Sequence, residues 1–184
     1  MIVTEFLSLK DYKLYGNWLK IQDAETRNLY FGVASNDYVI DSLMERILKS
    51  PQDHYFLVAK DGTRWVGTIH IAVSGKQVEF GVIVDNEYRG RGIGGDMLEE
   101  SLLWARNRRY RELYMHCLTW NAPIRHLCDK HGLKPKSMFG ESEVQLELPP
   151  PDFITLAKEA NIKNRNIFHT WLQDNTRWYQ EIYG

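Results

Sequence analysis

The stretch VIVDNEYRGRGIGG, residues 82–95, joins a run of β-forming residues to an amphipathic helix through a turn with four glycines. Glycine lacks a Cβ, so such a turn can direct successive backbone N–H groups toward one point. The start of the helix adds the positive end of its dipole there. Arg89 and Arg91 add two positive charges. The pattern predicts a binding cradle for a diphosphate, although an ordinary glycine turn is the simpler alternative.

Two nucleotide-binding motifs compete for this turn. The Walker pattern is absent, because no Gly-Lys-Ser/Thr follows the glycines. Gly90, Gly92 and Gly95 formally satisfy the G-x-G-x-x-G fingerprint of dinucleotide-binding folds. In those folds the turn follows its strand almost at once, and the next strand ends in an acidic residue. Here residues 85–89 intervene and residues 118–121 read Leu-Thr-Trp-Asn. The context argues against a dinucleotide-binding oxidoreductase, which stays open as an alternative.

Regular patterns on both sides of the turn indicate an α+β protein. Alternating runs rich in Val, Ile and aromatic residues predict strands, three of which form an antiparallel meander before the turn. The expected strands span residues 2–7, 54–60, 65–73, 78–84 and 113–118, with a further pair within 134–148. The expected helices begin at a cap on Asp11 and then cover about 37–49, 95–109 and 122–131.

Three consecutive prolines, residues 149–151, predict a boundary between a domain at residues 1–148 and a helical C-terminal extension at residues 149–184. Large apolar residues recur along one face of that helix, at steps of four, seven and four. They are Ile167, Trp171, Trp178 and Ile182. This face could dock on the protein's own core, form a dimer contact or cover a substrate site. Both a monomer and a homodimer are therefore compatible with the sequence.

The composition is that of an ordinary globular protein, with 184 residues, a net charge of −1 and 43% hydrophobic residues. A near-neutral chain has no overall field that would attract nucleic acid or an anionic membrane. Cys117 and Cys128 form no Cys-x-x-Cys pair, so a disulfide framework is not expected. The spacing of His126, Cys128 and His131 does not direct three ligands to one metal. We therefore expect a cytoplasmic protein without metal, nucleic acid or membrane among its partners.

A family resemblance follows from the turn and its neighbours. Arg89-Gly90-Arg91-Gly92-Ile93-Gly94 resembles the Q/R-x-x-G-x-G/A signature of the GNAT acetyltransferase superfamily. The preceding residues 79–85 look like that family's fourth strand, and residues 121–133 are similar to its N-x-x-A-x-x-L-Y-x-K-x-G-F segment. Order and spacing agree over about residues 2–148. The resemblance implies a GNAT-like mixed, mostly antiparallel central sheet flanked by helices, with a helical C-terminal extension outside the match.

The resemblance also implies a ligand, because acyl-CoA lies in such folds where the sheet splays between its fourth and fifth strands. Pantetheine amides would pair with the backbone near Ile83 and Val84, and Asn121 would help to hold the same arm. The diphosphate would lie on amides of the turn. The expected cofactor-binding residues are Ile83, Val84, Arg89, Gly90, Arg91, Gly92, Ile93, Gly94, Gly95 and Asn121.

The implied chemistry needs a neutral amine, and a lysine-like amine of pKa about 10.4 is neutral in only about one molecule in 10^3.4 at pH 7. Glu79 lies where many relatives place a general base, although it could be a solvent-facing or ion-paired carboxylate. Cys128 stands where the family often has a tyrosine that protonates the departing thiolate, and it either donates a proton or packs. His126, His131 or a nearby tyrosine are the other acids, or the thiolate leaves unaided.

The resemblance thus implies an acetyl-CoA-dependent N-acetyltransferase acting on a primary amine of a small molecule or peptide. A CoA-binding regulatory or scaffolding module with little turnover is the alternative from another class. Acidic residues in segments that form the acceptor pocket of such folds would suit a cationic acceptor. They are Asp23, Glu25, Asp37, Asp41, Glu141 and Glu143. A basic run at residues 106–111 is either a solvated helix end or a contact for the 3′-phosphate of CoA.

Overall fold

Among the described residues, seven strands form one sheet. The computed structural model describes residues 1–33, 35–118, 122–130, 135–138 and 141–183, without the side chains of 116–118, 124, 127, 128, 130, 135–138, 141–144 and 173–183. The strands are β1 (Ile2–Phe6), β2 (His54–Asp61), β3 (Arg64–Ser74), β4 (Gln77–Val84), β5 (Glu112–Leu118), β6 (Pro135–Met138) and β7 (Glu141–Glu147). Their spatial order is β1-β2-β3-β4-β5-β7-β6, antiparallel throughout except for the parallel pair β4 and β5. The predicted mixed, mostly antiparallel sheet is confirmed.

Helices flank the sheet and differ from the sequence expectations in three places. They are α1 (Tyr12–Lys20), α2 (Ala24–Phe31), α3 (Asp37–Lys49), α4 (Ile93–Asn107), α5 (Ala122–Lys130) and α6 (Phe153–Tyr183). Helix α2 was not predicted, and α4 begins two residues earlier than expected. Asp11 stands at the predicted N-cap position of α1, at the end of a 3₁₀ turn, but its side chain makes no cap bond to the helix. Its carboxylate accepts from Ser8 Oγ at 2.5 Å.

Strands β4 and β5 separate after a short paired segment. Their parallel pairing joins Gln77–Glu79 to Glu112–Tyr114 and extends no further along these two described strands. On its other side β4 stays paired with β3 along its whole length, as far as Val84. The two strands therefore diverge toward their carboxyl ends. We call the resulting opening the cleft.

The two faces of β4 belong to different parts of the core, because successive side chains of a strand point in opposite directions. Val78, Phe80 and Val82 are buried in the apolar cluster beneath α4. Ile83 is buried in the second cluster, which lies beneath α1 and α3. Gly81 shares this second face. The strand is thus fixed from both sides, and the cleft opens beside a rigid element.

Helix α6 docks on α4 and β1 through polar side chains. Asn107 donates its Nδ2 hydrogen to Glu159 Oε2 at 2.5 Å, and Arg108 pairs with Glu159 Oε1 at 2.8 Å. Further along, Asn166 donates to Thr4 Oγ1 on β1 at 2.7 Å. The basic run of residues 106–111 thus supplies at least one side chain to this contact, which links the C-terminal helix to the sheet.

The apolar face predicted for the C-terminal helix is not the face that docks. Ile167 and Trp171 keep 59% and 58% of their surface exposed. The side chains of Trp178 and Ile182 lie outside the description. A dimer contact and a substrate lid therefore stay predictions for this face. No helix in the described ranges combines the length and the apolar content needed to cross a bilayer.

Candidate active site

The turn between β4 and α4 has the backbone geometry of an anion cradle, which we define as residues 89–95. Gly90 and Gly92 have φ angles of 74° and 82°, a region that favours glycine. The first intrahelical bond of α4 runs from Asp96 N to Gly92 O at 3.0 Å. The amides of Ile93, Gly94 and Gly95 have no acceptor among the residues that the structure describes. They are the unpaired donors at the positive end of the helix.

Arg89 is anchored between α2 and the end of β4. Its Nη2 donates to Thr26 Oγ1 at 2.6 Å, and its Nε donates to the backbone oxygen of Val84 at 3.3 Å. Glu25 lies 3.9 Å from its Nη1. The guanidinium that was predicted to bind phosphate therefore also links α2 to the carboxyl end of β4. Arg89 lines the same cavity as the cradle glycines.

Arg91 lies on the outer side of the cradle. Its guanidinium stacks on the ring of Tyr88, 4.6 Å from the ring centroid, and its Nη2 donates to the backbone oxygen of Glu87 at 2.9 Å. Arg64 stacks on the same ring at 5.2 Å. A cation held over an aromatic ring is positioned without losing its charge. The cradle thus has a fixed positive charge close to its free amides.

A cavity of about 450 Å³ extends from the cradle along β4. Its lining includes the cradle glycines Gly90, Gly92, Gly94 and Gly95, and Val82, Ile83 and Val84 at the end of the strand. Helix α2 forms the opposite wall, and α5 contributes Pro123 and His126. The cavity therefore connects the predicted diphosphate site to the inner end of the cleft.

The backbone of β4 alternates between its neighbour strand and the cleft. Asp85 N donates to Val66 O of β3 at 3.0 Å, so the polar groups of Ile83 and Gly81 also point to β3. Those of Val82 and Val84 point to the cleft, where Val84 O already accepts from Arg89. The two residues predicted to bind the pantetheine arm can therefore do so in different ways. Ile83 can contribute its side chain, and Val84 can contribute its backbone.

Two tyrosines meet beside Gly81, and one of them, Tyr30, lines the cavity. The hydroxyls of Tyr15 and Tyr30 are 2.8 Å apart. A Cβ on Gly81 would stand 2.7 Å from the hydroxyl oxygen of Tyr30, so glycine is required for this close approach. Burial raises the pKa of Tyr15 well above its ordinary value. Burial also raises the pKa of Tyr30, to about 12, and the charge of nearby Glu79 contributes to this rise.

The structure describes the predicted catalytic residues to different extents. Glu79 is exposed on the face of β4 that also carries Gly81 and Ile83, and it is not among the residues that line the cavity. Cys128 lies within α5, but its side chain is outside the description. Asn121 and His131 lie outside the described residues altogether. His126 is exposed and lines the cavity.

Sequence reasoning missed the wall formed by α2, which supplies Thr26, Leu29 and Tyr30. A signal for this helix was available. Asp23 caps it by accepting from Thr26 N at 2.8 Å, and Gly32 ends it with a φ of 72°. Its apolar periodicity is weak, so the caps alone mark it.

Acidic side chains proposed for the acceptor pocket are largely engaged elsewhere. Asp23 caps α2. Asp37 pairs with Arg27 at 3.1 Å, and Asp41 pairs with Lys20 at 2.6 Å. The side chains of Glu141 and Glu143 lie outside the description. The described members of this set therefore hold α2 and α3 in place, and they do not form a free anionic cluster.

The comparisons with known proteins agree with this fold. The model of the Acetyltransferase (GNAT) family matches residues 18–133, more than half of the chain. The chain belongs to this family. A putative [ribosomal protein bS18]-alanine N-acetyltransferase of Bacillus subtilis (strain 168) is 27% identical over 97 residues, which cover 52% of this chain and 63% of that protein. The chain thus spans less than two thirds of the length of this curated relative.

Solved structures share the fold at low sequence identity. The GNAT domain of S. lividans PAT superposes with a TM-score of 0.67 at 18% identity, over 79% of this chain and 89% of that chain. The PaiA N-acetyltransferase from Thermoplasma acidophilum, solved in complex with coenzyme A, has a TM-score of 0.63 at 19% identity, over 80% and 99%. Spermidine N-acetyltransferase from Vibrio cholerae, in complex with CoA and spermine, also reaches 0.63, at 15% identity over 80% and 95%.

Proposed function

We propose that this protein is an acetyl-CoA-dependent N-acetyltransferase that acts on a primary amine of a small molecule or peptide. The observation that carries the proposal is the continuity between the free amides at the start of α4 and the cleft between β4 and β5. If the diphosphate of CoA binds to those amides, its pantetheine arm would extend along the cavity beside Val82, Ile83 and Val84. The arm's thioester end would then lie near Gly81.

In this proposal each part of the site has a separate task. The amides of Ile93, Gly94 and Gly95 donate to the diphosphate, and Gly90 and Gly92 permit the turn that exposes them. Arg89 and Arg91 supply positive charge. Val84 offers a backbone group to the pantetheine arm, and Ile83 offers an apolar surface. Asn121 stays a predicted partner of the same arm.

The acceptor amine must lose a proton before or during attack. Glu79 is our proposed base, because it lies exposed on the face of β4 that carries Gly81 and because its charge raises the pKa of Tyr30. It can act directly or through a water molecule. Cys128 stays a predicted proton donor for the CoA thiolate, with His126 as a described alternative on the cavity wall.

The proposal also covers the domain organisation, the location and the acceptors of the protein. Residues 1–148 would form the catalytic domain, and residues 149–184 an extension held on α4 and β1. The scarcity of cysteines favours a cytoplasmic location. The relatives that act on an alanine terminus or on spermidine suggest a peptide α-amine and a polyamine as the first acceptors to test.

The test combines binding with turnover. CoA binding is measured by calorimetry, and release of CoA thiol from acetyl-CoA is followed with a panel containing an α-amino peptide, a lysine peptide and a polyamine. We expect micromolar CoA binding and thiol release that depends on one class of amine. Binding without turnover on any amine would favour the regulatory or scaffolding module. Stabilisation by NAD(P) in place of CoA would contradict the proposal.

A further inference from the structure

The hydrogen bond with Tyr15 determines whether the hydroxyl of Tyr30 donates or accepts. Tyr15 is fully buried, and Tyr30 is the only hydrogen-bond partner of its hydroxyl among the described residues. A buried O–H group that does not donate a hydrogen bond destabilises the fold. Tyr15 therefore donates and Tyr30 accepts. The proton of Tyr30 is then left to donate elsewhere, and the side chain lines the cavity.

The position of that proton is also determined. The oxygen of Tyr30 lies where a side chain on Gly81 would begin, at 2.7 Å from the ideal Cβ position. Gly81 is only two residues beyond Glu79, the last residue of β4 that pairs with β5. The hydroxyl thus lies over the point at which the cleft opens. Leu29 and Ile83, which line the same cavity, offer apolar side chains.

We propose that Tyr30 is a catalytic residue that donates a hydrogen bond to the carbonyl oxygen of the acyl thioester. The inference rests on the proposed function. The amine nitrogen attacks the thioester carbon, and the carbonyl electron pair moves to oxygen, where the O–H of Tyr30 stabilises the growing charge without transferring its proton. Collapse re-forms the carbonyl and breaks the C–S bond. The proton lost by nitrogen passes to a base, and the thiolate takes up a proton, giving an amide and free CoA.

A neutral donor suits this role better than an acid does. The pKa of Tyr30 is raised to about 12, chiefly by burial. Proton transfer from such a phenol to a thiolate, whose conjugate acid has a pKa of about 8.5, would be unfavourable by about three pKa units. Hydrogen bonding needs no such transfer. Activity should therefore show no titration of Tyr30 below about pH 10.

The first test is Tyr30→Phe, which keeps the ring and removes the donor. We expect kcat to fall about 100-fold, as for the loss of one oxyanion donor. The Kd for free CoA, which has no thioester carbonyl, should not change, and the pH profile of kcat should keep its shape. Tyr12→Phe is the matched control, because the Tyr12 hydroxyl bonds the backbone oxygen of His54 at 2.5 Å and does not line the cavity. Its kcat should equal that of the wild type.

The second test moves the hydroxyl without removing it. In Gly81→Ala the new Cβ would lie too close to the Tyr30 oxygen, so this variant should reproduce the loss of kcat. Combined with Tyr30→Phe, the same substitution should have a smaller effect than it has alone, because the oxygen is gone and only the ring carbons at 3.1 and 3.2 Å stay close to the new Cβ.

Wild-type kcat in Tyr30→Phe, or fully additive losses in the double variant, would overturn the assignment of Tyr30. Absence of turnover in the wild type would contradict the proposed function instead. The two failures are therefore distinguishable.

Discussion

Gly92 joins the turn after β4 to α4, with a φ of 82° and no atom within 4 Å of where a Cβ would lie. Substitution there strains the backbone without creating a contact. Glycine is therefore needed at position 92 for its left-handed backbone conformation and not for lack of space. At the residue scale, then, the cradle depends on conformation, and Gly81 depends on the close approach of Tyr30.

Gly92→Ala should therefore weaken CoA binding. The left-handed conformation costs an alanine about 1–2 kcal/mol, and relaxation of the turn would redirect the amides of α4. We expect the Kd for CoA, measured by calorimetry, to rise about tenfold, which corresponds to about 1.4 kcal/mol. Gly62→Ala is the matched control, since Gly62 has a φ of 61°, open surroundings and a place in the β2–β3 turn. An equal change in Kd for both variants would argue against the cradle.

At the scale of elements, a polar network links β1, α4 and α6. Thr4 Oγ1 donates to Glu100 Oε2 at 2.5 Å and accepts from Asn166 Nδ2 at 2.7 Å. Burial raises the pKa of the Glu100 carboxyl, against the opposing effects of Thr4 and Arg165. Burial therefore disfavours the charged form of this carboxyl relative to the unfolded chain.

Glu100→Gln tests this network. A carboxyl whose folded-state pKa is raised makes the protein less stable as pH rises above its ordinary value of 4.5. The neutral amide avoids that loss, so the variant should gain stability relative to the wild type at pH 8 more than at pH 4. Thermal unfolding at both pH values checks this. Glu99→Gln, at an exposed neighbour on α4, is the control, and an identical pH dependence in both variants would count against the explanation.

At the scale of the whole molecule, a histidine pair lies between the sheet and its helices. His54 Nδ1 and His70 Nε2 are 3.0 Å apart, and His70 stacks on Phe56 with a centroid distance of 4.8 Å. Burial lowers the pKa of His70 to about 3, with a smaller effect from His54. Burial also lowers the pKa of His54, against the charge of Asp53.

Acid should therefore destabilise the whole fold. His70 stays neutral when folded but binds a proton in the unfolded chain below about pH 6.5. The free energy of unfolding should therefore fall between pH 6.5 and pH 3, by up to about 5 kcal/mol. His70→Gln cannot take up this proton and should show a flatter dependence in denaturant unfolding. His126→Gln, at an exposed position, should keep the wild-type slope. A wild-type slope in His70→Gln would refute the explanation.

Sequence alone predicted the strand–turn–helix unit at residues 78–105, because glycine conformation, helix polarity and strand alternation act over short distances along the chain. It did not predict α2, whose eight residues carry weak periodicity, or the meeting of Tyr30 with Gly81, which are 51 positions apart. It identified the apolar face of the C-terminal helix but not which face would dock. That choice depends on Thr4, Asn107 and Arg108 from distant parts of the chain.

The amino-acid sequence by itself thus determined the family, the mixed sheet and the free amides that make the cradle, since each arises from local backbone preferences. Only the tertiary structure decided the contact beside the cavity, where the cavity-lining Tyr30 meets Tyr15 and Gly81, because these residues come from two helices and a strand. The physical reason is that side-chain packing between distant segments leaves no periodic signal along the chain.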